Sequence, residues 1–119
     1  MAQENVFTTP VSAGLLPVDV LRFSAITGVA DGIETTIATY TSTGDITVGD
    51  IITSGTSYAR FNIYVNTVLQ FVIRSGPSRQ ANLALNRPLQ LAITDVIDVK
   101  VIHYNTDATD DFEATILGI

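Results

Sequence analysis

The chain has 119 residues, enough for one domain, which at this size buries about two thirds of the surface that its unfolded chain exposes. Hydrophobic residues make up 46% and charged residues 15% of it, a composition too apolar for a disordered tail. The surface of a soluble single domain usually carries about 25–35% charged residues. We therefore expect a partner, such as further copies of the chain, to cover part of the outer surface.

Charge and cysteine content exclude several classes of function. Acidic residues outnumber basic ones by 12 to 6, for a net charge of −6, whereas nucleic-acid binding needs a basic face that displaces counterions. The absence of cysteine excludes disulfides, thiolate metal sites and cysteine nucleophiles. The first residues lack the features of a signal peptide, and no run approaches the roughly 20 apolar residues of a membrane span. We expect synthesis in the cytoplasm, with no nucleic-acid or membrane partner.

Residues 1–18 predict an N-terminal arm, and residues 19–119 predict a single β-sandwich domain. Prolines at 10 and 17 interrupt any regular strand in the arm, because proline cannot donate a ladder hydrogen bond. The arm is nevertheless apolar, and its predicted partner-binding residues are Val6, Phe7, Val11, Leu15 and Leu16. Two interpretations remain open: the arm packs along its own domain, or it docks on a neighbouring subunit.

Short runs rich in Val, Ile, Thr, Tyr and Phe, separated by turn residues, predict antiparallel strands. The first runs over about 20–27, and the second over about 33–41. The third, 46–53, is expected to be broken at Gly49 and Asp50. Alternation predicts which side chains of the first two strands face the core: Leu21, Phe23, Ala25, Ile33 and Ile37.

Residues 58–74 give the clearest hairpin. A two-residue turn at positions 66–67 would place Phe61 and Ile63 opposite side chains of the other face, and such a slip moves a whole strand across the sheet. Thr67 is also poorly suited to the positive φ of a two-residue turn. The pattern therefore predicts a three-residue loop, 65–67, with room for a bulge, and Ile63 opposite Leu69 and Phe61 opposite Phe71.

The remaining strands are predicted around positions 81–85, 89–91, 97–101 and 111–117, with turns at 86–88 and 94–95 and a loop over 105–110. Alternation directs six side chains of the last two strands to the core: Ile97, Val99, Val101, Phe112, Ala114 and Ile116. About eight strands result. The fold class is therefore all-β, an antiparallel two-sheet β-sandwich of jelly-roll type with an extended N-terminal arm.

His103, the only histidine, is the first candidate for chemistry. It lies on the core face of the strand that carries Ile97, Val99 and Val101. It could act as a general base or a metal ligand, or it could be a strand-end histidine that hydrogen-bonds a loop. No nucleophile motif accompanies it, which favours the structural interpretation.

The acidic segment 105–111 contains oxygen ligands that Ca²⁺ could use. It lacks the spacing and the glycine of an EF-hand loop, and its residues are also ordinary turn residues. Paired carboxylates could cut sugars, but Asp95 is expected in a turn and Asp98 on the outer face. No glycine-rich phosphate loop is present. We therefore predict no enzyme activity, no catalytic or metal-binding residues and no cofactor.

The residues opposite the core are more informative. Tyrosine and arginine mixed with branched apolar residues are typical of interfaces. On the hairpin and on the strand near 97–101 they form a predicted subunit interface: Arg60, Tyr64, Val72, Arg74, Ile102 and Tyr104. The alternative is that this face packs beneath the arm.

The C-terminal half resembles the end of the C1q/TNF-type jelly roll. The matching features are Leu89-Gln90-Leu91, then Asp95-Val96-Ile97-Asp98-Val99, then a closing strand from Phe112 to Leu117. Thr94 stands where that family usually has glycine. The segments 63–69 and 74–78 also resemble small structural proteins of tailed bacteriophages, some of which decorate capsids as trimers. These resemblances cover about residues 58–119 and imply a homotrimer without catalytic residues.

Together these features predict a decoration, or cement, protein of a tailed-phage virion. It would sit on the capsid outer surface as a homotrimer and stabilise the shell of the major capsid protein. Its apolar arm could add a strand to a partner's sheet edge. The alternative is a phage fibre or receptor-binding module whose loops at 75–80 and 105–111 recognise a host glycan or protein. A metal-dependent hydrolase using His103 or Asp110 is a third, less favoured interpretation.

Overall fold

The computed structural model describes residues 19–75, 81–104 and 109–119, and within these ranges all regular structure is β-strand. Two four-stranded sheets pack together, as the sequence predicts. The strands are β1 (Asp19–Ala30), β2 (Thr35–Thr41), β3 (Ile46–Gly55), β4 (Ala59–Val65), β5 (Val68–Ser75), β6 (Ala81–Leu91), β7 (Val96–His103) and β8 (Thr109–Gly118).

The strand pairing is nested, like a long hairpin that has been rolled up. Strand β1 pairs with β8, β2 with β7, β3 with β6 and β4 with β5, all antiparallel. Rolling adds the contacts of β3 with β8 and of β4 with β7. The sheet orders are therefore β1-β8-β3-β6 and β2-β7-β4-β5, which is a jelly-roll arrangement of two sheets.

The core lies between the two sheets. Strands β7 and β8 alternate strictly between buried and more exposed residues, which confirms the predicted inward set of 97, 99, 101, 112, 114 and 116. Phe61 of β4 meets Phe112 of β8 edge to face, with ring centroids 5.8 Å apart. Gly55 makes room for this packing, because a Cβ built on it would overlap the Phe112 ring.

The predicted loop of the β4–β5 hairpin is wrong. The turn has two residues, Asn66 and Thr67, both with positive φ (49° and 69°), and Val65 lies opposite Val68. The pairing then shifts between Ile63 and Tyr64, so that Ile63 lies opposite Phe71 and Phe61 opposite Ile73 rather than the partners expected. The bulge that the sequence allowed is therefore present, and it returns the apolar residues to one face.

Asn66 is held in this conformation by the neighbouring β6–β7 turn. Its backbone N–H donates to the Val96 carbonyl at 2.8 Å, and its side-chain oxygen accepts from the Val96 N–H at 2.9 Å. Its Nδ2 donates to Asp95 at 3.0 Å. These contacts come from a distant part of the sequence, and they stabilise a turn that local residue preferences disfavour.

The inward set predicted for β1 and β2 is partly wrong. Phe23 and Ala25 lie on the outer face, because the pairing of β1 with β8 shifts between Val20 and Arg22 and changes the side from which they project. Ile33 lies in the exposed β1–β2 turn, whereas Ala38 is buried beside Ile37 because β2 bulges between Thr36 and Ala38.

Strand boundaries also differ from prediction. The pairing of β3 with β6 jumps from Leu89 to Ala84 where β3 bulges between Val48 and Asp50. Strand β3 nevertheless runs unbroken from Ile46 to Gly55, so the break predicted at 49–50 is present only as a shift in pairing. The turn predicted at 86–88 is wrong, because an irregular pairing lets β6 run on as a single strand. The last strand begins at Thr109 rather than 111, which brings Asp110 into the sheet.

Candidate functional site

His103 and Asp110 form a buried polar contact between the two sheets. His103, the last residue of β7, has no exposed surface. Its Nδ1 lies 3.3 Å from Oδ2 of Asp110 in β8, and its Nε2 lies 2.6 Å from the carbonyl oxygen of Val29 in β1. One imidazole therefore connects three strands from both sheets.

The protons of this contact follow from the partners. A carbonyl oxygen only accepts hydrogen bonds, so Nε2 carries a proton and donates to Val29. The contact between Nδ1 and Oδ2 also needs a proton, carried by the ring or by the carboxyl group. In a catalytic triad the ring nitrogen away from the acid faces a nucleophile. Here that nitrogen binds backbone inside the core, so His103 holds the sheets together rather than meeting a substrate.

Thr56, in the β3–β4 connection, extends the contact towards the surface. Its hydroxyl donates to Oδ1 of Asp110 at 2.9 Å and accepts from the backbone N–H of Asp111 at 3.0 Å. Asp111 in turn accepts from the Gly28 N–H at 3.1 Å. Asp110 and Asp111 therefore accept hydrogen bonds from groups of the same chain, the Thr56 hydroxyl and the Gly28 backbone N–H.

The other acidic candidates are also engaged. Asp95 accepts from Asn66 and from the Ala92 N–H, and these two hydrogen bonds lower the pKa of its carboxyl group. Asp98 accepts from Thr39 at 2.6 Å on the outer face. Residues 105–108 of the predicted calcium segment lie outside the described residues. Among the described residues, no group of three or more His, Asp or Glu side chains is placed to hold a metal ion.

The predicted subunit interface falls largely on one surface, the outer face of the β2-β7-β4-β5 sheet, which we call the basic face. Arg60 lies opposite Arg74 on one side and Ile102 on the other. Val72 lies two residues along the strand from Arg74, opposite Asn62. Tyr104 follows β7 directly and is 67% exposed. The structure therefore brings the predicted strand residues together, while their role stays a prediction.

Glu34 organises the centre of the basic face. Its carboxylate accepts from Nδ2 of Asn62 and from the Tyr64 hydroxyl, each at 2.7 Å. The Lys100 ammonium lies 5.0 Å from the centre of the Tyr64 ring. The hydrogen bond from Tyr64, then that from Asn62, lowers the pKa of Glu34, and the same bond raises the pKa of Tyr64.

The two arginines of the basic face form no close ion pair with the described part of the chain, although the charge of Arg60 contributes to lowering the pKa of Glu34. Arg60 and Arg74 are exposed, and the ion pair found among the described residues is that of His103 with Asp110. Like charges directly opposite each other on neighbouring strands are destabilising. The arrangement would therefore gain from a carboxylate supplied by another molecule.

Sequence reasoning missed a second exposed surface, on the outer face of the β1-β8-β3-β6 sheet. Val20 lies opposite Leu117, and Phe23 lies in line with Thr115 and Ile52. Val20 is 60% and Phe23 54% exposed, and Ile52 and Leu117 are half-buried. We call Val20, Phe23, Ile52 and Leu117 the apolar strip. The sequence did not reveal this surface, because the side of the sheet on which Phe23 lies depends on the register shift in β1.

An open groove of about 380 Å³ lies between β1, β8 and the end of β3. Its lining combines the apolar residues Ala25 and Phe112 with the polar residues Ser54, Asp111 and Glu113. Ser54 donates to Glu113 at 3.0 Å.

The chain matches no protein-family model and has no significant match among curated proteins. None of the residues that the structure describes belongs to a helix that could span a membrane.

Proposed function

We propose that this chain is a structural protein of a tailed-phage virion, a decoration protein that binds the capsid shell as a homotrimer. The observation that carries the proposal is the basic face, where exposed cations flank Tyr64, Val72 and Ile102. Arginine and tyrosine around a small apolar centre are characteristic of protein interfaces.

The partner proposed for the basic face is a second copy of the chain. The chain has net charge −6, yet Arg60, Arg74 and Lys100 share this one face with only two described acids, Glu34 and Asp98. A neighbouring copy would supply carboxylates to an opposed pair of arginines, and arginine binds carboxylates with two parallel hydrogen bonds. A closed ring of three copies uses two different surfaces of each subunit, so the basic face would contact an acidic surface of the next copy.

Two further observations support the resemblance to trimeric C1q/TNF-type proteins. Thr94, which stands where that family usually has glycine, has φ 73°, a conformation that glycine adopts most easily. Strand β8, the counterpart of the family's closing strand, lies between β1 and β3 in its sheet.

Stabilisation of the shell would follow from mass action. A protein that binds the assembled shell but not its dissociated subunits shifts the equilibrium towards assembly. Three weak contacts in one trimer act together, because after the first contact the others form within a single complex. In this proposal the arm residues Val6, Phe7, Val11, Leu15 and Leu16 supply contacts to the major capsid protein.

Sedimentation velocity tests the trimer. We expect a species of three times the 12.7 kDa chain mass at micromolar concentration, and Arg74→Glu to shift it to monomer. This variant should still fold, because its new carboxylate would lie opposite Arg60. The matched control is Arg22→Glu, the same charge reversal on an exposed residue outside the basic face, which should remain trimeric. A wild-type monomer would contradict the subunit interface.

Co-sedimentation tests shell binding. The purified protein is mixed with expanded capsids of the phage that encodes it, and the pellet is analysed. Saturable recovery in the pellet supports the decoration function, and recovery in the supernatant at saturating concentration contradicts it.

The groove favours one second candidate, a fibre or receptor-binding module. Its lining holds carboxylates and hydroxyls, which can bind sugar hydroxyls, together with apolar side chains, which can pack against sugar faces. Asp111, one of the loop residues expected to recognise a host glycan, lines it; positions 76–80 and 105–108 lie outside the described residues. A glycan array separates the two candidates: binding that Glu113→Gln abolishes would favour the receptor function.

A further inference from the structure

We propose that the arm, residues 1–18, folds back over the apolar strip of its own chain in the free protein. This inference goes beyond the decoration function, because it concerns the protein before it meets a shell. The strip exposes Val20 and Phe23 beside half-buried Ile52 and Leu117. Exposed apolar side chains of this kind gain free energy when an apolar segment covers them.

The position at which the arm ends makes it the nearest apolar segment. Asp19 is the first residue of β1, and Val20, the next residue, already belongs to the strip. A segment tethered so closely has a high effective concentration, in the millimolar range for a short linker. It therefore needs little intrinsic affinity to remain bound.

The length and composition of the arm also fit. From Val20 to Phe23 the strip extends about 10 Å at the usual strand rise, and an extended stretch from Val6 to Val11, about 17 Å long, is sufficient to cover it. Gly14 and Pro17 lie between that stretch and β1, and both residue types favour reversals of the chain. A reversal there would place Phe7 and Val11 above the strip.

A second copy of the chain is a poorer occupant of the strip. Four side chains, none of them fully exposed, offer far less than the roughly 1,200 Å² that a stable interface between folded proteins buries. The arm avoids this requirement because its tether removes most of the entropic cost of association. Burial of Phe23 and Val20 against Phe7 and Val11 is then favourable by the hydrophobic effect alone.

The docked arm would also delay shell binding. The arm side chains that are proposed to contact the shell are the same ones that pack against the apolar strip. The strip and the shell therefore compete for the arm. The strip would shield the arm from unspecific association until a capsid offers a better surface.

A tryptophan reporter tests the proposal on the full-length chain, which has no native tryptophan. Phe23→Trp places the reporter in the strip, and acrylamide quenching measures its exposure. With the native arm we expect a blue-shifted emission and weak quenching. Adding Phe7→Asp and Val11→Asp should shift the emission to the red and raise the quenching constant severalfold.

Matched controls isolate the arm. Thr8→Asp with Ser12→Asp adds the same charge to the arm but keeps its apolar residues, and it should leave the signal of the strip reporter unchanged. A Val68→Trp reporter in the other sheet should respond equally in both arm backgrounds. Val20→Trp serves as a second strip reporter if Phe23→Trp fails to fold.

Each outcome decides the proposal. The proposal is overturned if quenching of the strip reporter is the same with the native arm and with the Asp-substituted arm. This holds whether the strip is open or is covered by another part of the protein. Wild-type protein is also added to the reporter variant that carries the disabled arm. Recovered shielding would assign the strip to the arm of another copy and overturn the intramolecular arrangement. No capsid is used, so failure here leaves the decoration function untouched, and failed capsid binding leaves this inference untouched.

Discussion

The contact of His103 with Asp110 and the contact of Glu34 with Asn62 and Tyr64 use the same kinds of polar group in opposite surroundings. The first lies inside the core and joins the two sheets. The second lies on the outer face of one sheet, where Glu34 remains exposed to water. The free energy lost when a partner is removed depends on whether water can replace it. Similar geometry should therefore give very different energies.

The largest effect is expected from His103→Leu. Breaking a buried pair by removing one partner costs about 3–5 kcal/mol, because the other polar group stays buried without its partner. Urea unfolding of this variant should show that loss. The double variant His103→Leu with Asp110→Leu should recover part of it, since no unpaired carboxyl remains. A single-variant loss below about 1 kcal/mol would mean that water reaches the pair.

A substitution beside the buried pair probes the packing around it. Gly55→Ala would place a Cβ inside the space that the Phe112 ring occupies and 3.1 Å from the Asp111 carbonyl oxygen. Phe112 packs against His103 with ring centroids 5.6 Å apart. Overpacking of this kind costs about 1–3 kcal/mol. Gly44→Ala is the control, because no neighbouring atom lies within 4 Å of its Cβ position, and equal thermal stability of the two variants would disprove the packing argument.

The β4–β5 turn should become more stable when Thr67 is replaced by glycine, the residue that adopts positive φ most easily. Thr67 adopts φ 69°, which costs a β-branched residue about 1–2 kcal/mol relative to glycine. Thr67→Gly should therefore raise the free energy of unfolding by about 1 kcal/mol, less the entropy that glycine adds to the unfolded chain. Asn66→Gly is the informative comparison, since it also removes hydrogen bonds to Asp95 and Val96. A Thr67→Gly variant less stable than wild type would refute this account.

The smallest effect is expected on the exposed side of the comparison. Glu34→Gln should cost about 0.5 kcal/mol near neutral pH, as exposed polar pairs usually do. Hydrogen bonds lower the pKa of folded Glu34 below its usual 4.5, so its contribution is complete above that value and is lost as pH falls through the folded pKa. Melting temperatures of wild type and variant should converge as the pH falls from above 4.5 through the lowered pKa of folded Glu34, and a gap that widens on acidification would reverse the assigned sign.

The sequence predicted the strands whose pairing is regular and failed where a distant partner changes the register. Period-two alternation was sufficient for β7 and β8, and it placed His103 on the core face. It could not place Phe23, because a bulge against β8 decides its side of the sheet. Nor could it give the two-residue turn at Thr67, since Asn66 is held there by the β6–β7 turn. The pairing of His103 with Asp110 joins different sheets, which no local pattern encodes.

The nested pairing has a consequence for the order in which the chain can fold. Strand β8, the last in sequence, lies between β1 and β3 in its sheet, so β1 gains its sheet partner only when the C-terminal residues arrive. Contacts between strands this far apart in sequence close large loops and slow folding into the millisecond-to-second range. During synthesis, β1 and β3 would expose the edges that β8 later joins. Protection of exposed edges by chaperones would therefore matter most for the β1-β8-β3-β6 sheet. The strands of the β4–β5 hairpin are joined by only two residues, so they can pair without any later part of the chain. We therefore expect folding to begin there.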